Sequence, residues 1–293
     1  MNTIGFLDLS VFADRICFLE TSIPADAVVP GSVITAVIIV ACAAIGLPVL
    51  LAILGRIRLK GTIVSALWGV LTFVVFAMIF ESGINLLVQK YVGDITSNIW
   101  FYAIYGGLAA GVFEETGRFV VMKFIMKDTL NKQNAIMHGI GHGGIESIML
   151  VGLTYVSNLA ISLAINAGEI DSMLKGLDDT LKAQTIEQYS ALWTTPAGLF
   201  YLAIVERIAA IALHICMSYI VYRAVKEKKP EYYLLAVGIH FVYDAGTVLL
   251  ASVAPIVAVE VILVLFSAVL SVLVYRAYRA ETDSRSVNLT SGV

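Results

Sequence analysis

Apolar stretches of about twenty residues or more recur along this chain, parted by short polar joints, and that pattern admits few folds. A stretch of that length crosses a hydrocarbon layer about 30 Å thick as a helix, because helical backbone satisfies its own hydrogen bonds where water is absent. Seven candidates can be marked, at about 32–54, 61–88, 97–126, 134–166, 195–224, 231–253 and 255–278. Only 14% of the 293 residues are charged, against about 25% in soluble domains. The expected fold is all-α, a polytopic membrane protein with about seven transmembrane helices. Residues 1–30 read as a lead-in, 31–280 as one helical domain and 281–293 as a tail. The segment from Gly168 to Pro196 is polar and leans acidic, and reads as the one sizeable loop.

Basic residues orient such a bundle, since cytoplasmic joints collect Lys and Arg. Thirteen of the nineteen fall on one side if the N-terminus is outside, including Arg56, Arg58, Lys60, Lys123, Lys127, Lys132 and the run Lys226 to Lys229. Four, Arg15, Lys90, Lys175 and Lys182, fall on the other, and Arg118 and Arg207 lie within spans. The expectation is N-outside and C-inside, with an extracytoplasmic lead-in and a cytoplasmic tail. The basic joints set topology and are no nucleic-acid patch. Cys17, Cys42 and Cys216 are scattered without a CxxC spacing, which argues against a disulfide framework or a thiolate zinc site.

Against this apolar background the charged residues inside spans stand out. An ionised side chain at mid-membrane costs at least about 2.5–3.5 kcal/mol, so each needs a partner, water or a metal. The third span holds Glu114, Glu115 and Arg118, and the fourth holds His138, His142 and Glu146 in a glycine-rich run. The fifth holds Glu206, Arg207 and His214, and the sixth His240 and Asp244. At 1.5 Å of rise per helical residue, Glu115 and Glu146 lie roughly 18 Å from the cytoplasmic ends of their helices. His214 and His240 come out at about 15 Å and Asp244 at about 20 Å, while His138, at about 6 Å, reads as interfacial. Glu114/Arg118, His142/Glu146 and His240/Asp244 are i,i+4 pairs, so each pair shares a helix face. Glu206 with Arg207 reads as a structural ion pair.

Such a set suits hydrolysis. A carboxylate beside a histidine can deprotonate water, and a further His or Asp can steady an oxyanion. Imidazole and carboxylate without thiolate also suit a catalytic zinc with an open position. Glycines 139, 141, 143 and 144 would let backbone approach closely, from a neighbouring helix or a substrate strand. Two bland readings stand beside this one: a scaffold locked by intramembrane ion pairs, and an ion-coupled transporter using a carboxylate relay. The lack of an evident inverted repeat weakens the transporter reading.

The same residues carry a family resemblance. Glu114-Glu115-Thr116-Gly117-Arg118 resembles the EExxR motif of the type II CAAX-prenyl-protease superfamily, and His240 with Asp244 resembles its closing HxxxD/N motif. The run Gly141 to Glu146, together with Glu206, Arg207 and His214, is most similar to the YhfC branch of intramembrane metalloproteases. His214 and His240 also resemble the paired histidines of a seven-helix scaffold subunit of gamma-secretase. The resemblance covers residues 110–250 and implies a CAAX-protease-like core, with the site region at 97–250 buried towards the cytoplasmic side.

What it implies for the site is a catalytic set of Glu114, Glu115, Arg118, Glu146, His240 and Asp244, with one of the paired glutamates activating water. Metal, expected as zinc unless the mechanism is metal-free, would be held by Glu115, Glu146, His214 and His240. His142 and Glu206 take secondary places. The prenyl proteases have His where this chain has Glu146, and His142 stands one turn earlier. The expected function is hydrolysis of a peptide bond in a peptide or membrane-protein substrate, in the lipid bilayer of a bacterial plasma membrane. The alternative is a non-catalytic membrane scaffold.

Overall fold

A computed structural model of the chain describes residues 27–281. The expected lead-in before residue 27 and the tail after residue 281 lie outside the described residues. Among those described there are nine helices and no strand. They are α1 (Gly31–Leu59), α2 (Ile63–Tyr91), α3 (Ile99–Val120), α4 (Lys132–Asn166), α5 (Ile170–Met173), α6 (Asp179–Thr194), α7 (Ala197–Glu227), α8 (Pro230–Val253) and α9 (Ile256–Ala280). Side-chain caps start several of them: Thr62 caps α2, Asn98 caps α3 and Asn131 caps α4, each satisfying amide donors that a helix start leaves open. Lys228 ends α7 in the left-handed region, and Pro230 then opens α8 at its first turn, where a missing N–H costs nothing.

Six of these helices, α1, α2, α4, α7, α8 and α9, are long and apolar enough to cross a membrane. The sequence points to seven such segments. The remaining one, α3, has the length, but Glu114, Glu115, Arg118 and its glycines lower its apolarity. The outward faces are greasy. On α9, Leu265, Val269 and Leu273, one turn apart, are each more than half exposed, the reverse of a water-facing helix.

Long helices alternate in direction, and cross-links at their ends fix this. Asn166 at the end of α4 bonds the backbone of Val29 just before α1, and the Tyr105 hydroxyl near the start of α3 donates to Asn85 near the end of α2. At the other end, the Lys132 ammonium donates to the Glu281 carbonyl, joining the start of α4 to the end of α9. That end carries Arg56, Arg58, Lys60, Lys123 and Lys226 and is called here the basic end.

The segment expected as a loop at Gly168 to Pro196 is instead largely helical. Asp178 caps α6 through the Leu181 amide at 2.9 Å, and Ile186 and Leu192 are buried against Val33, Val37, Tyr155 and Ile165 of α1 and α4. The apolar residues Ile186, Tyr189, Leu192 and Trp193 recur at helical spacing, a signal diluted by the charges around them.

Two features position the site. First, helices meet through glycine. A Cβ on Gly141 would lie 1.9 Å from the Ala66 carbonyl oxygen of α2, and one on Gly139 would lie 2.5 Å from Cα of Ile215 on α7. A Cβ on Gly111 of α3 would lie 2.9 Å from the Val237 carbonyl of α8. The expected close approach of backbone at the α4 glycines is thus made by neighbouring helices. Second, π-helical turns interrupt α2 at Phe73–Glu81 and α4 at Ser147–Gly152, close α1 at Gly55–Leu59 and follow α3 at Val121–Ile125.

Candidate active site

α3, α4, α7 and α8 bring their polar side chains together in the interior. Glu114 is the hub. Its Oε2 lies 2.8 Å from His142 Nε2, 3.3 Å from the Arg118 guanidinium, 3.9 Å from His214 Nδ1 and 4.0 Å from His240 Nε2. Glu115, one residue on, points to a different set: it pairs with Arg118, accepts from His240 Nδ1 at 2.8 Å, and its Oε2 has no partner. Glu115, Arg118, His138 and His142 are fully buried.

The hydrogen bonds fix the tautomer of His214. Arginine is only a donor, so Arg118 Nη2, 2.6 Å from His214 Nδ1, faces a lone pair there. The proton then sits on Nε2, which pairs with Glu146. Glu146 is held in turn by Arg207 Nη1 at 3.0 Å, and Arg207 also pairs with its neighbour Glu206. The Glu206–Arg207 pair, read as structural from the sequence, therefore reaches the site through Glu146. His240 sits between Glu115 and Asp244, whose Oδ2 is 3.4 Å from its Nε2. The four histidine rings form a row, with centroid spacings of 6.2 Å for His138–His142, 5.1 Å for His142–His214 and 5.6 Å for His214–His240.

All nine residues expected in the site lie in this one network. The donor atoms that converge most tightly are those of Glu114, His142 and His214, all within 4.8 Å of one another. Of the expected ligands only His214 belongs to that trio: Glu115 and His240 bond one another, and Glu146 stands behind His214. His142, given a secondary place from the sequence, is in the middle because α4 packs with its Nε2 facing Glu114 of α3. His138, expected at the interface, is enclosed by neighbouring helices. It is buried, between the hydroxyls of Thr72 at 3.0 Å and Ser218 at 3.2 Å, because α2 and α7 close over it.

Two carboxylates escaped the sequence reading. Glu81, buried at the end of the π-helical turn of α2, is within electrostatic reach of Glu114, His240 and Asp244. Glu260, buried near the start of α9, is within reach of Glu206 and Arg207, and its Oε2 has no partner. The signal that singles out Glu114, a carboxylate in an apolar run, applies to both, though Glu260, near the start of its span, reads as boundary.

With this geometry in view, the comparison with known proteins is specific. The model of the YhfC intramembrane metalloprotease family matches residues 43–263, a range that includes every side chain of the network. The chain belongs to the YhfC intramembrane metalloprotease family. The membrane protein YhfC of Bacillus subtilis (strain 168), itself uncharacterized, is 35% identical over 207 residues, which cover 68% of this chain and 79% of that protein. No solved structure matches the chain. Membership in the YhfC family and the six apolar helices together make this a multi-pass membrane protein.

Proposed function

We propose that this protein is an intramembrane peptidase, hydrolysing a peptide bond within or near the membrane with a metal held by Glu114, His142 and His214. The observation that carries the reading is the convergence of one carboxylate and two imidazoles, all buried, within 4.8 Å. Three such ligands without thiolate fit zinc in a catalytic site with one open position. The fit extends outward. Glu146 accepts from Nε2–H of His214, so the Nδ1 lone pair, which now faces Arg118, is the ligand atom, with the carboxylate–histidine support typical of metal sites.

Bound zinc would supply Lewis acidity and a more acidic water. The remaining work falls to the chain. Glu115 Oε2, buried and unpartnered, accepts the proton of the attacking water. His240, held by Glu115 and Asp244, donates to the developing oxyanion. Arg118 fixes the two glutamates relative to each other, and Arg207 fixes Glu146. With the N-terminus outside, as the basic joints favour, the basic end faces the cytoplasm.

Purified protein should carry about one equivalent of zinc, and His142→Ala and Glu114→Gln should lose it with the fold retained. Cells bearing Glu115→Gln should accumulate uncleaved membrane substrates by proteomics. Metal-free wild type with no such substrates would sink the proposal. One observation favours a scaffold instead: Arg118 already gives Glu114, Glu115 and His214 a cation, so the cluster can be satisfied without metal. That reading predicts a metal-free protein.

A further inference from the structure

The polar groups of the network grow more exposed in one direction on four of the helices that carry them. On α4, His138 and His142 are fully buried and Glu146 is the first to open; on α8, His240 is buried, while the side chain of Asp244, one turn on, is 33% exposed. On α7, Ser218 and His214 are buried and the side chain of Glu206, nearer the helix start, is 18% exposed. On α2 the order is Thr72 and Glu81, both buried, then Asn85, partly open. Because the helices alternate in direction, all four gradients point to the same end, the one where α2 ends and α3 and α9 begin.

The opposite direction is shut. His138 bridges Thr72 and Ser218, and beneath it toward the basic end Met122, Met126, Met137 and Met217 are wholly buried. On the open side the lining is acidic. Asp244 and Glu206 are the open carboxylates there, Glu81 and Glu260 stand buried behind them, and Arg207 is committed to Glu206 and Glu146. The buried Glu260 carboxylate oxygen without a partner adds an unanswered acceptor to that approach. Open carboxylates do not face hydrocarbon, where each costs at least about 2.5 kcal/mol, so this opening leads to water.

We propose that water and substrate reach the site from the end opposite the basic end, through an approach that Asp244 and Glu206 open, backed by Glu81 and Glu260, and that favours cationic groups. This rests on reading the Glu114 cluster as a hydrolytic site, and it puts the entrance on the side opposite to the cytoplasmic one implied by resemblance. It also assigns the open Asp244 and Glu206 to substrate preference: a segment with Lys or Arg beside the cleaved bond enters more readily than an acidic one.

Thiol labelling tests it on the full chain, with Cys17→Ala and Cys42→Ala removed as background and the buried Cys216 kept as an internal control. Asn85→Cys and Asp244→Cys should react with a cationic methanethiosulfonate roughly tenfold or more faster than with the anionic reagent of similar size. Ser218→Cys and Cys216 should stay unreactive. In sealed vesicles of either orientation, Asn85→Cys should react from the face that labels Asp94→Cys and not from the face that labels Lys228→Cys. Reaction from the Lys228 face, a Ser218→Cys rate equal to that of Asn85→Cys, or silence at both 85 and 244 in folded protein overturns the proposal. Absence of metal or peptide cleavage would count against the hydrolytic reading alone and would leave the labelling pattern standing.

Discussion

Within the triple α2–α4–α7, as within the pair α3–α8, helices touch backbone to backbone at glycine; between triple and pair they touch through side chains. Gly141 and Gly139 seat α4 on Ala66 and Ile215, and Gly111 seats α3 on Val237. Across the seam the contacts at the site include Glu114 with His142, Arg118 with His214 and the His214 ring with that of His240. Small residues let helices pack closely without a hydrophobic drive, so each unit holds its share of the polar set firmly. The chemistry is assembled only where the two units meet.

Breaking the seam should cost most. Arg118→Met removes the bonds to Glu114, Glu115 and His214 at once and leaves two buried carboxylates uncompensated, a loss of about 3–5 kcal/mol. Thermal unfolding in detergent should show it, and adding Glu115→Gln should recover part of the loss. Arg207→Met should cost less, because the side chain of its partner Glu206 is 18% exposed; equal losses for the two arginines would erase the distinction between seam and margin. Damage inside a unit comes next. Gly141→Ala forces α2 away from α4 at about 1–3 kcal/mol, whereas Gly83→Ala, with nothing within 4 Å, should be neutral or slightly stabilising.

The smallest effect belongs to the basic end. Burial would raise the Glu281 carboxyl, but hydrogen bonds from Lys226, Tyr222 and Tyr219 outweigh it and hold the group below its ordinary value. A depressed carboxyl contributes stability that is complete above the ordinary pH of about 4.5 and lost as pH falls through the folded value. Glu281→Gln should therefore flatten the acid limb of a melting-temperature profile and leave the neutral region nearly unchanged. An unchanged acid limb would show that these bonds contribute nothing.

Much of this architecture is legible in the chain because lipid penalises charge so steeply. Glu114, Glu115, Arg118, His214 and His240 declare themselves by standing in apolar runs, and the resemblance at Glu114–Arg118 and Gly141–Glu146 points to the family. The rest needs three dimensions. Periodicity cannot tell which of two adjacent glutamates meets His142, since that depends on how α3 is rotated against α4. Distance along a helix likewise says nothing of the α2 and α7 side chains that cover His138. α6 is hidden by its charges, and Glu260 by its place near a helix start.

The π-helical turn at Phe73–Glu81 has a consequence for the phase of α2. Each such turn adds a residue to the helical count, advancing every later side chain by about 100° around the axis. Upstream of it, Gly69 and Thr72 meet α4; downstream, Glu81 and Asn85 meet the α3 side instead. One rod thus serves two neighbours with two azimuths. Deleting a single residue between Val74 and Phe80 would restore a uniform α-helix and swing Glu81 out of reach of the site with its chemistry unaltered.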